Sequence, residues 1–176
     1  MSQIKKVVII GPESTGKSTL AQNLANFYDE PWVPEYARRY LENLTREYGF
    51  TDLLNIAKGQ LHLEDQQIKR AQTVIFYDTN LQVLKVWSDH RFKKTDPWII
   101  KQIELRHYDL YLLTDIDMPW QEDPLREHPQ PAMRKHFWNI YHQLLLEIKV
   151  PFIKISGNQE MRISQATEAV NRLLDN

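Results

Sequence analysis

Gly11-Pro12-Glu13-Ser14-Thr15-Gly16-Lys17-Ser18 decides the fold, because it matches the phosphate-binding pattern G-x-x-x-x-G-K-S at every fixed position. Before it lies the apolar run Val-Val-Ile-Ile at 7–10, and after it Leu20 and Leu24 are spaced one helical turn apart. This order of strand, loop and helix is the one the pattern requires, and a purely structural glycine turn would need neither Lys17 nor Ser18. The sequence therefore predicts a nucleoside triphosphate site.

Each part of this loop has an expected role. Backbone N–H groups of the loop surround the phosphates, Lys17 reaches the β- and γ-phosphates, and the Ser18 hydroxyl binds Mg²⁺. A nucleoside triphosphate and Mg²⁺ are accordingly the expected ligands of the loop, and the choice between ATP and GTP stays open at this point. The predicted nucleotide-binding residues are Gly11, Glu13, Ser14, Thr15, Gly16, Lys17, Ser18 and Thr19.

The bulk composition describes an ordinary globular chain. Its 176 residues, 42% hydrophobic and 26% charged, are expected to form one domain over 1–176. The net charge of −1 gives no electrostatic footprint for nucleic acid, and no apolar run approaches the roughly 20 residues of a membrane helix. The chain lacks cysteine, and no secretory signal opens it. We expect a cytoplasmic protein with a small-molecule substrate and no nucleic-acid or membrane partner; a homo-oligomer stays open.

Apolar runs alternate with helical stretches along the chain, the pattern of an α/β fold. Together with the phosphate-binding loop, this alternation predicts a three-layer α/β fold with a mainly parallel five-stranded sheet, helices on both faces and a lid loop. The lid is the polar segment at about 114–131, and a smaller polar loop is expected at 89–94. Strands are predicted at 7–10, 32–34, 74–77, 110–113 and 152–155, and helices at 17–28, 35–48, 52–72, 97–106, 132–148 and 158–174.

Two carboxylates follow predicted strands and should reach the edge of the sheet where the phosphate-binding loop lies. Asp78 ends the run at 74–77, where it could hold Mg²⁺ or cap the next helix. Glu35 follows the strand at 32–34, where it could accept a hydroxyl proton or serve as a helix N-terminal charge. Position alone leaves open which of the two is the base.

Arginines and aromatic residues supply further candidates. Arg126 in the lid and Arg134 just after it could stabilise transferred phosphoryl oxygens, or could be solvated surface charges. A closing lid would exclude water from the reaction. The turn at 156–158 after the last predicted strand is a candidate adenine contact. Rings that could stack on an acceptor, or pack in the core instead, are Trp32, Tyr36, Tyr40, Trp87 and Trp120.

Four segments together resemble a known family. They are the loop at 11–18, Pro34-Glu35-Tyr36-Ala37-Arg38, Asp78-Thr79-Asn80, and Trp120-Gln121-Glu122-Asp123-Pro124-Leu125-Arg126 within the lid. They are similar to the ribosylnicotinamide kinase domain of the bacterial NAD-biosynthesis protein NadR. The resemblance runs over nearly the whole chain and implies transfer of phosphate from ATP, with Mg²⁺, to the 5′-hydroxyl of nicotinamide riboside. Since no adenylyltransferase or helix-turn-helix segment is visible, it implies the kinase step only.

The resemblance also assigns residues. It implies Lys17, Glu35, Asp78 and Arg126 as catalytic, and Ser18 and Asp78 as metal ligands. Glu35, Asp78, Tyr36 and Trp120 are the implied substrate-binding residues. A kinase for another nucleoside or small alcohol remains the alternative. A regulatory GTPase or nucleotide-binding module is disfavoured, because the N-K-x-D and D-x-x-G patterns that such proteins use do not occur in the sequence.

Overall fold

A five-stranded parallel sheet forms the centre of the computed structural model, which describes residues 3–175. The strand order is β2-β3-β1-β4-β5, so that the first strand lies in the middle between β3 and β4. This confirms the predicted α/β fold with its parallel sheet. The strands are β1 (Lys5–Ile10), β2 (Trp32–Val33), β3 (Val74–Asp78), β4 (Leu110–Thr114) and β5 (Phe152–Ile155). The α-helices are α1 (Lys17–Tyr28), α2 (Tyr36–Glu42), α3 (Phe50–Gln67), α4 (Leu81–Phe92), α5 (Pro97–Leu105), α6 (Pro131–Ile148) and α7 (Gln159–Leu174).

The two faces of the sheet bury separate apolar clusters, because side chains alternate along each strand. Val7 and Ile9 of β1 pack in a cluster with residues of α1 and α7, such as Leu24. Val8 and Ile10 point to the other face and pack with residues of α6, such as Leu145. All four β1 residues are fully buried. Helices therefore cover both faces, as predicted, and hold the central strands rigidly beneath the phosphate-binding loop.

The second predicted helix, at 35–48, was too long. In the structure α2 ends at Glu42, and a new helix begins after Gly49, whose backbone N–H donates to the Asp52 carboxylate at 2.7 Å. Asp52 also accepts a hydrogen bond from the Tyr40 hydroxyl at 2.7 Å. The segment between the two helices is thus irregular, and it brings Tyr48 towards α4.

Helix α4 is absent from the predicted helices, and the expected polar loop at 89–94 was wrong for its first four residues, since the helix continues to Phe92. The helix lacks a clean apolar stripe, because its buried positions include the polar residues Gln82 and Ser88. Asn80 caps its N-terminus by accepting a hydrogen bond from the Gln82 backbone N–H at 3.1 Å. Asp78 therefore does not act as the cap.

The functional groups gather at the carboxyl edge of the sheet. The phosphate-binding loop follows β1, Asp78 ends β3, and the lid follows β4. The outer residues of the predicted lid at 114–131, Thr114 and Pro131, belong to β4 and α6. Within residues 3–175, no helix combines the length and the apolar character needed to cross a membrane.

Candidate active site

The phosphate-binding loop is held in shape from below by Thr114 at the end of β4. Gly11 has φ +150°, and a Cβ atom built on it would lie 2.3 Å from Thr114 Oγ1. The Thr15 and Thr114 hydroxyls share a hydrogen bond of 2.7 Å, and Thr15 also donates to the Pro12 carbonyl at 2.7 Å. Gly16, at φ +74°, then turns the chain into α1. Close approach and positive φ explain why glycine occupies both fixed positions.

Ser18 and Asp78 form a pair that suits a magnesium ion. The Ser18 hydroxyl donates to Asp78 Oδ2 at 2.5 Å, while Asp78 Oδ1 is buried without a hydrogen-bond partner. Burial raises the pKa of Asp78, although the charge of Lys17 opposes the shift. Within residues 3–175, no group of three or more His, Asp or Glu side chains is placed to hold a metal ion. Two oxygen ligands are nevertheless enough for Mg²⁺, which usually completes its shell with water and phosphate oxygens.

Lys17 and Glu35 interact electrostatically, because each is among the charges that shift the pKa of the other. Burial lowers the pKa of Lys17, and the charges of Glu35 and Asp78 oppose that shift. Burial and, next in size, the nearby Asp78 carboxylate together raise the pKa of Glu35 to about 7. A carboxyl group with such a pKa can both accept and release a proton near neutral pH.

A cavity of about 410 Å³ lies over the phosphate-binding loop. All eight predicted nucleotide-binding residues line it, together with Glu35 and Arg126. Asp78 lies behind Ser18, at the floor of the site. This placement separates the two carboxylates: Glu35 can touch a molecule in the cavity, whereas Asp78 is positioned to act with Ser18.

One side of the cavity is apolar and aromatic. It is built by residues of α2, α4, α6 and the lid, and its proximity to Glu35 makes it suitable for an acceptor. Tyr141 connects the two features, because it lines the cavity and Glu35 is among the charges that raise its pKa, after burial. We refer to Ala37, Leu41, Val83, Trp87, Leu125, Phe137 and Tyr141 as the aromatic wall; the other apolar lining residues of the cavity are Pro12, Leu20, Met118, Pro119 and Ile163.

The aromatic residues singled out in the sequence separate into different environments. Trp87 lines the cavity. Tyr36 packs over Gly59 between α2 and α3, where a Cβ atom on Gly59 would lie 2.1 Å from its ring. Trp120 lies at 5.9 Å from the guanidinium groups of Arg126 and Arg134, outside the cavity wall. The substrate-binding roles of Tyr36 and Trp120 thus stay predictions, whereas Trp87 lies where it can contact a molecule in the cavity.

Trp32 and Tyr40 are partly buried and pack against the apolar core. Trp32 packs at the edge of the cluster formed with α1 and α7, and Tyr40 packs with α3. Core packing, the alternative considered for each ring, therefore describes these two residues.

The side chains of Glu13 and Ser14 contact the lid. The Glu13 carboxylate accepts hydrogen bonds from the backbone N–H groups of Glu127 and His128 at 3.0–3.2 Å. The Ser14 hydroxyl accepts a hydrogen bond from the Gln121 backbone N–H at 2.9 Å. These residues were predicted to bind nucleotide; their backbone can still do so, while their side chains hold the lid over the loop.

Arg126 and Arg134 lie next to the phosphate-binding loop. Arg126 Nη1 donates to the Gln121 carbonyl at 2.5 Å and to Ser14 Oγ at 3.4 Å. Arg134, which is buried, donates to the carbonyls of Met118 and Ser14 at 3.1 Å. Arg126 can therefore meet a phosphoryl group in the cavity, whereas Arg134 is occupied in joining the lid to the loop.

Arg162 of α7 is a site residue that the sequence reasoning missed. Its guanidinium donates to the Thr15 carbonyl at 2.8 Å and also forms an ion pair with Asp117. Its Nε donates to the Gly157 carbonyl at 2.8 Å, in the turn suggested to contact adenine. One arginine in a helix carries no local signal of such a role, because its partners Thr15 and Asp117 lie far from it in the sequence.

Comparisons with known proteins identify the relatives of this chain. A family model described as an AAA domain matches residues 6–162. A curated relative, the trifunctional NAD biosynthesis/regulator protein NadR of Escherichia coli K12, is 28% identical over 97% of this chain and 43% of its own length. The NadR protein of Salmonella typhimurium LT2 has the same identity and coverage. The chain thus spans less than half of the length of these relatives.

Solved structures share the fold. A NadR protein in complex with NR superposes with a TM-score of 0.82 at 24% identity, covering 98% of this chain and 50% of that one. A NadR protein in complex with NAD and AMP-PNP gives a TM-score of 0.80 at 24% identity, with the same coverage. A thymidylate kinase from Ehrlichia chaffeensis gives 0.63 at 11% identity over 98% of this chain and 100% of that one. The architecture is that of the P-loop kinases, and the chain belongs to the AAA domain family and is homologous to the NadR proteins.

Proposed function

We propose that the chain is an ATP-dependent kinase that phosphorylates the 5′-hydroxyl of nicotinamide riboside. The observation that carries the proposal is the position of Glu35, which lines the cavity between the phosphate-binding loop and the aromatic wall. A base at this place can take a proton from an acceptor hydroxyl while the loop holds the donor phosphates. Homology to NadR and the fold shared with a NadR protein bound to NR support the choice of acceptor.

The Glu35 carboxylate also favours this acceptor. Glu35 lines the same cavity as the aromatic residues Trp87 and Phe137. An oxidised nicotinamide ring carries a positive charge, which the ionised Glu35 carboxylate stabilises, and aromatic rings stabilise a cation that packs on them. A neutral pyrimidine or purine gains nothing from this charge.

The residues divide the reaction among themselves. The acceptor oxygen forms a bond to the γ-phosphorus as the bond to the β–γ bridging oxygen breaks, and ADP leaves. Glu35 takes the hydroxyl proton, Lys17 and the backbone of the loop hold the phosphates, and Arg126 meets the charge on the transferred group. Ser18 and Asp78 would hold Mg²⁺, which neutralises charge on the β- and γ-oxygens when it is bound. The lid excludes water from the reaction. In this proposal, the predicted single domain over 1–176 carries out the whole reaction.

An acceptor panel tests this proposal. The protein is incubated with Mg-ATP and nicotinamide riboside, reduced nicotinamide riboside, nicotinic acid riboside, uridine or thymidine, and phosphorylated product is measured together with ADP. The reduced riboside has nearly the same size but a neutral ring, so it isolates the effect of charge. Highest kcat/KM for the oxidised riboside is expected. A preference for uridine or thymidine would refute the acceptor assignment and favour another P-loop kinase.

A further inference from the structure

A row of hydrogen bonds connects the aromatic wall of the cavity to the lid. Trp87 Nε1 donates to the Tyr48 hydroxyl at 2.7 Å, and that hydroxyl donates to Glu127 Oε1 at 2.9 Å. The Tyr48 and Trp87 rings also meet edge to face, with centroids 4.8 Å apart. Tyr48 therefore fixes the indole on one side and a lid carboxylate on the other.

The same part of the lid rests on the phosphate-binding loop. The backbone N–H groups of Glu127 and His128 donate to the Glu13 carboxylate, which belongs to that loop. Trp87, Glu127 and Glu13 all line the cavity. A single path of direct contacts thus runs from the acceptor wall through Tyr48 and the lid to the loop that holds the donor.

Arg91 supports this path from outside. Its Nη1 donates to Glu127 Oε1 at 3.2 Å, and its guanidinium lies 4.2 Å from the centre of the Tyr48 ring. The Glu127 side chain is about one-third exposed, so this ion pair is screened by solvent. The Tyr48 hydroxyl, in contrast, lies between the ring that faces the cavity and the carboxylate of the lid. It is the better candidate to transmit a change at the acceptor wall.

We propose that Tyr48 is a positioning residue that couples acceptor binding at Trp87 to the seating of the lid on Glu13. An acceptor ring packed on Trp87 holds the indole still, the indole N–H holds the Tyr48 hydroxyl, and Tyr48 holds Glu127 with the lid closed. The consequence is suppression of a wasteful reaction, in which water replaces the acceptor, bonds to the γ-phosphorus and yields ADP, inorganic phosphate and a proton. This inference rests on the proposed kinase reaction and not on which acceptor is used.

Tyr48→Phe tests the coupling, because it removes the hydroxyl and keeps the ring. Tyr40→Phe is the matched control: its hydroxyl also donates to a carboxylate, that of Asp52, but it lies in the helical packing of α2 and α3. Two quantities are measured in the full chain. The first, with Mg-ATP and acceptor, is the ratio of inorganic phosphate released to acceptor phosphorylated. The second is the hydrogen exchange of the lid amides at 121–128, with and without AMP-PNP.

The expected result is specific to Tyr48. The ratio of phosphate released to acceptor phosphorylated should rise roughly tenfold in Tyr48→Phe, as expected for loss of one hydrogen bond to a charged group. The kcat should fall, and the KM for ATP should change less than kcat does. Exchange at the Glu127 and His128 amides should accelerate, and Tyr40→Phe should leave both quantities at the wild-type level. Trp87→Phe, which removes the indole N–H that donates to the Tyr48 hydroxyl, should shift the ratio in the same direction.

The two proposals fail in different ways. If the wild-type protein phosphorylates nicotinamide riboside and Tyr48→Phe leaves the ratio and the lid exchange unchanged, the coupling is refuted and the proposed function stands. If the wild-type protein prefers another acceptor, the proposed function is refuted. The coupling is then decided with that acceptor and with the exchange experiment in AMP-PNP alone, in which unchanged protection of the lid amides in Tyr48→Phe refutes it.

Discussion

Glu35→Gln is the sharpest perturbation of the proposed chemistry, because it removes the proton acceptor and keeps the side-chain size. Loss of a general base lowers kcat by about 10²–10⁴-fold, and since the acceptor still meets the same walls its KM should change little. The aromatic wall and the phosphate-binding loop are formed by other residues, so the fold should persist. The expected signature is thus a kcat defect without a stability defect.

The pH dependence gives this prediction its magnitude. Burial, reinforced by the Asp78 carboxylate, raises the pKa of Glu35 to about 7. Such a group is ionised in about one molecule in ten at pH 6, about half of them at pH 7 and about nine in ten at pH 8. Because the base acts only when it is ionised, kcat/KM for the acceptor should rise roughly tenfold per unit below pH 7 and level off above pH 8.

The assay is ADP release at saturating Mg-ATP, with product quantified separately, between pH 5.5 and 8.5. Glu42→Gln serves as the control, because it removes the same charge from an exposed position on α2, where Glu42 pairs with Arg38 at 3.8 Å. Wild-type protein and Glu42→Gln should share the rising limb, and Glu35→Gln should lose it. A limb of the same midpoint in Glu35→Gln would show that another group is the base.

Three further substitutions address the loop and the core. Lys17→Ala should lower kcat by at least about 100-fold with little change in Tm, and near wild-type turnover would contradict the assigned role of the loop. Gly11→Ala places a Cβ atom 2.3 Å from Thr114 Oγ1 at φ +150°, so it should lower the free energy of unfolding by about 2 kcal/mol or more in urea; an unchanged midpoint would contradict the packing. Glu64 is a buried residue of α3, and burial raises its pKa to about 7 from the ordinary 4.5. The folded state therefore holds the proton more tightly than the unfolded chain does. The free energy of unfolding should fall by up to about 3 kcal/mol as pH rises from 4.5 through 7. Glu64→Gln should remove that part of the fall between pH 5 and pH 8, and identical slopes in variant and wild type would argue against a raised pKa.

The donor half of the site could be predicted because its signal is local. The eight residues at 11–18 carry both the phosphate-binding chemistry and the glycines that the turn requires, and the apolar runs around them define buried strands. Helix α4 escaped prediction because burial of Gln82 and Ser88 breaks its apolar periodicity. Trp87, a candidate ring in the sequence, lies on α4, so its place in the aromatic wall of the cavity could not be predicted.

The acceptor half is harder to predict because distant segments build it. The family resemblance implied Tyr36 and Trp120 as substrate-binding residues, yet the ring of Tyr36 packs over Gly59 and Trp120 does not line the cavity. Tyr36 begins α2 directly after Glu35, and successive side chains of a helix point in different directions, so adjacency in sequence does not place both in one cavity. Assignment of the wall required the packing of α4 against α6 and the lid.

The spacer of the phosphate-binding loop, residues 12–15, connects the donor site to the lid. The pattern leaves residues 12–15 free, because backbone N–H groups and not side chains hold phosphates. Here the free positions are used: Glu13 and Ser14 accept hydrogen bonds from backbone N–H groups of the lid. Any change in the path of the loop therefore moves the groups that hold the lid. Donor binding and lid closure share eight consecutive residues, and the Tyr48 contacts bring the acceptor wall into the same arrangement.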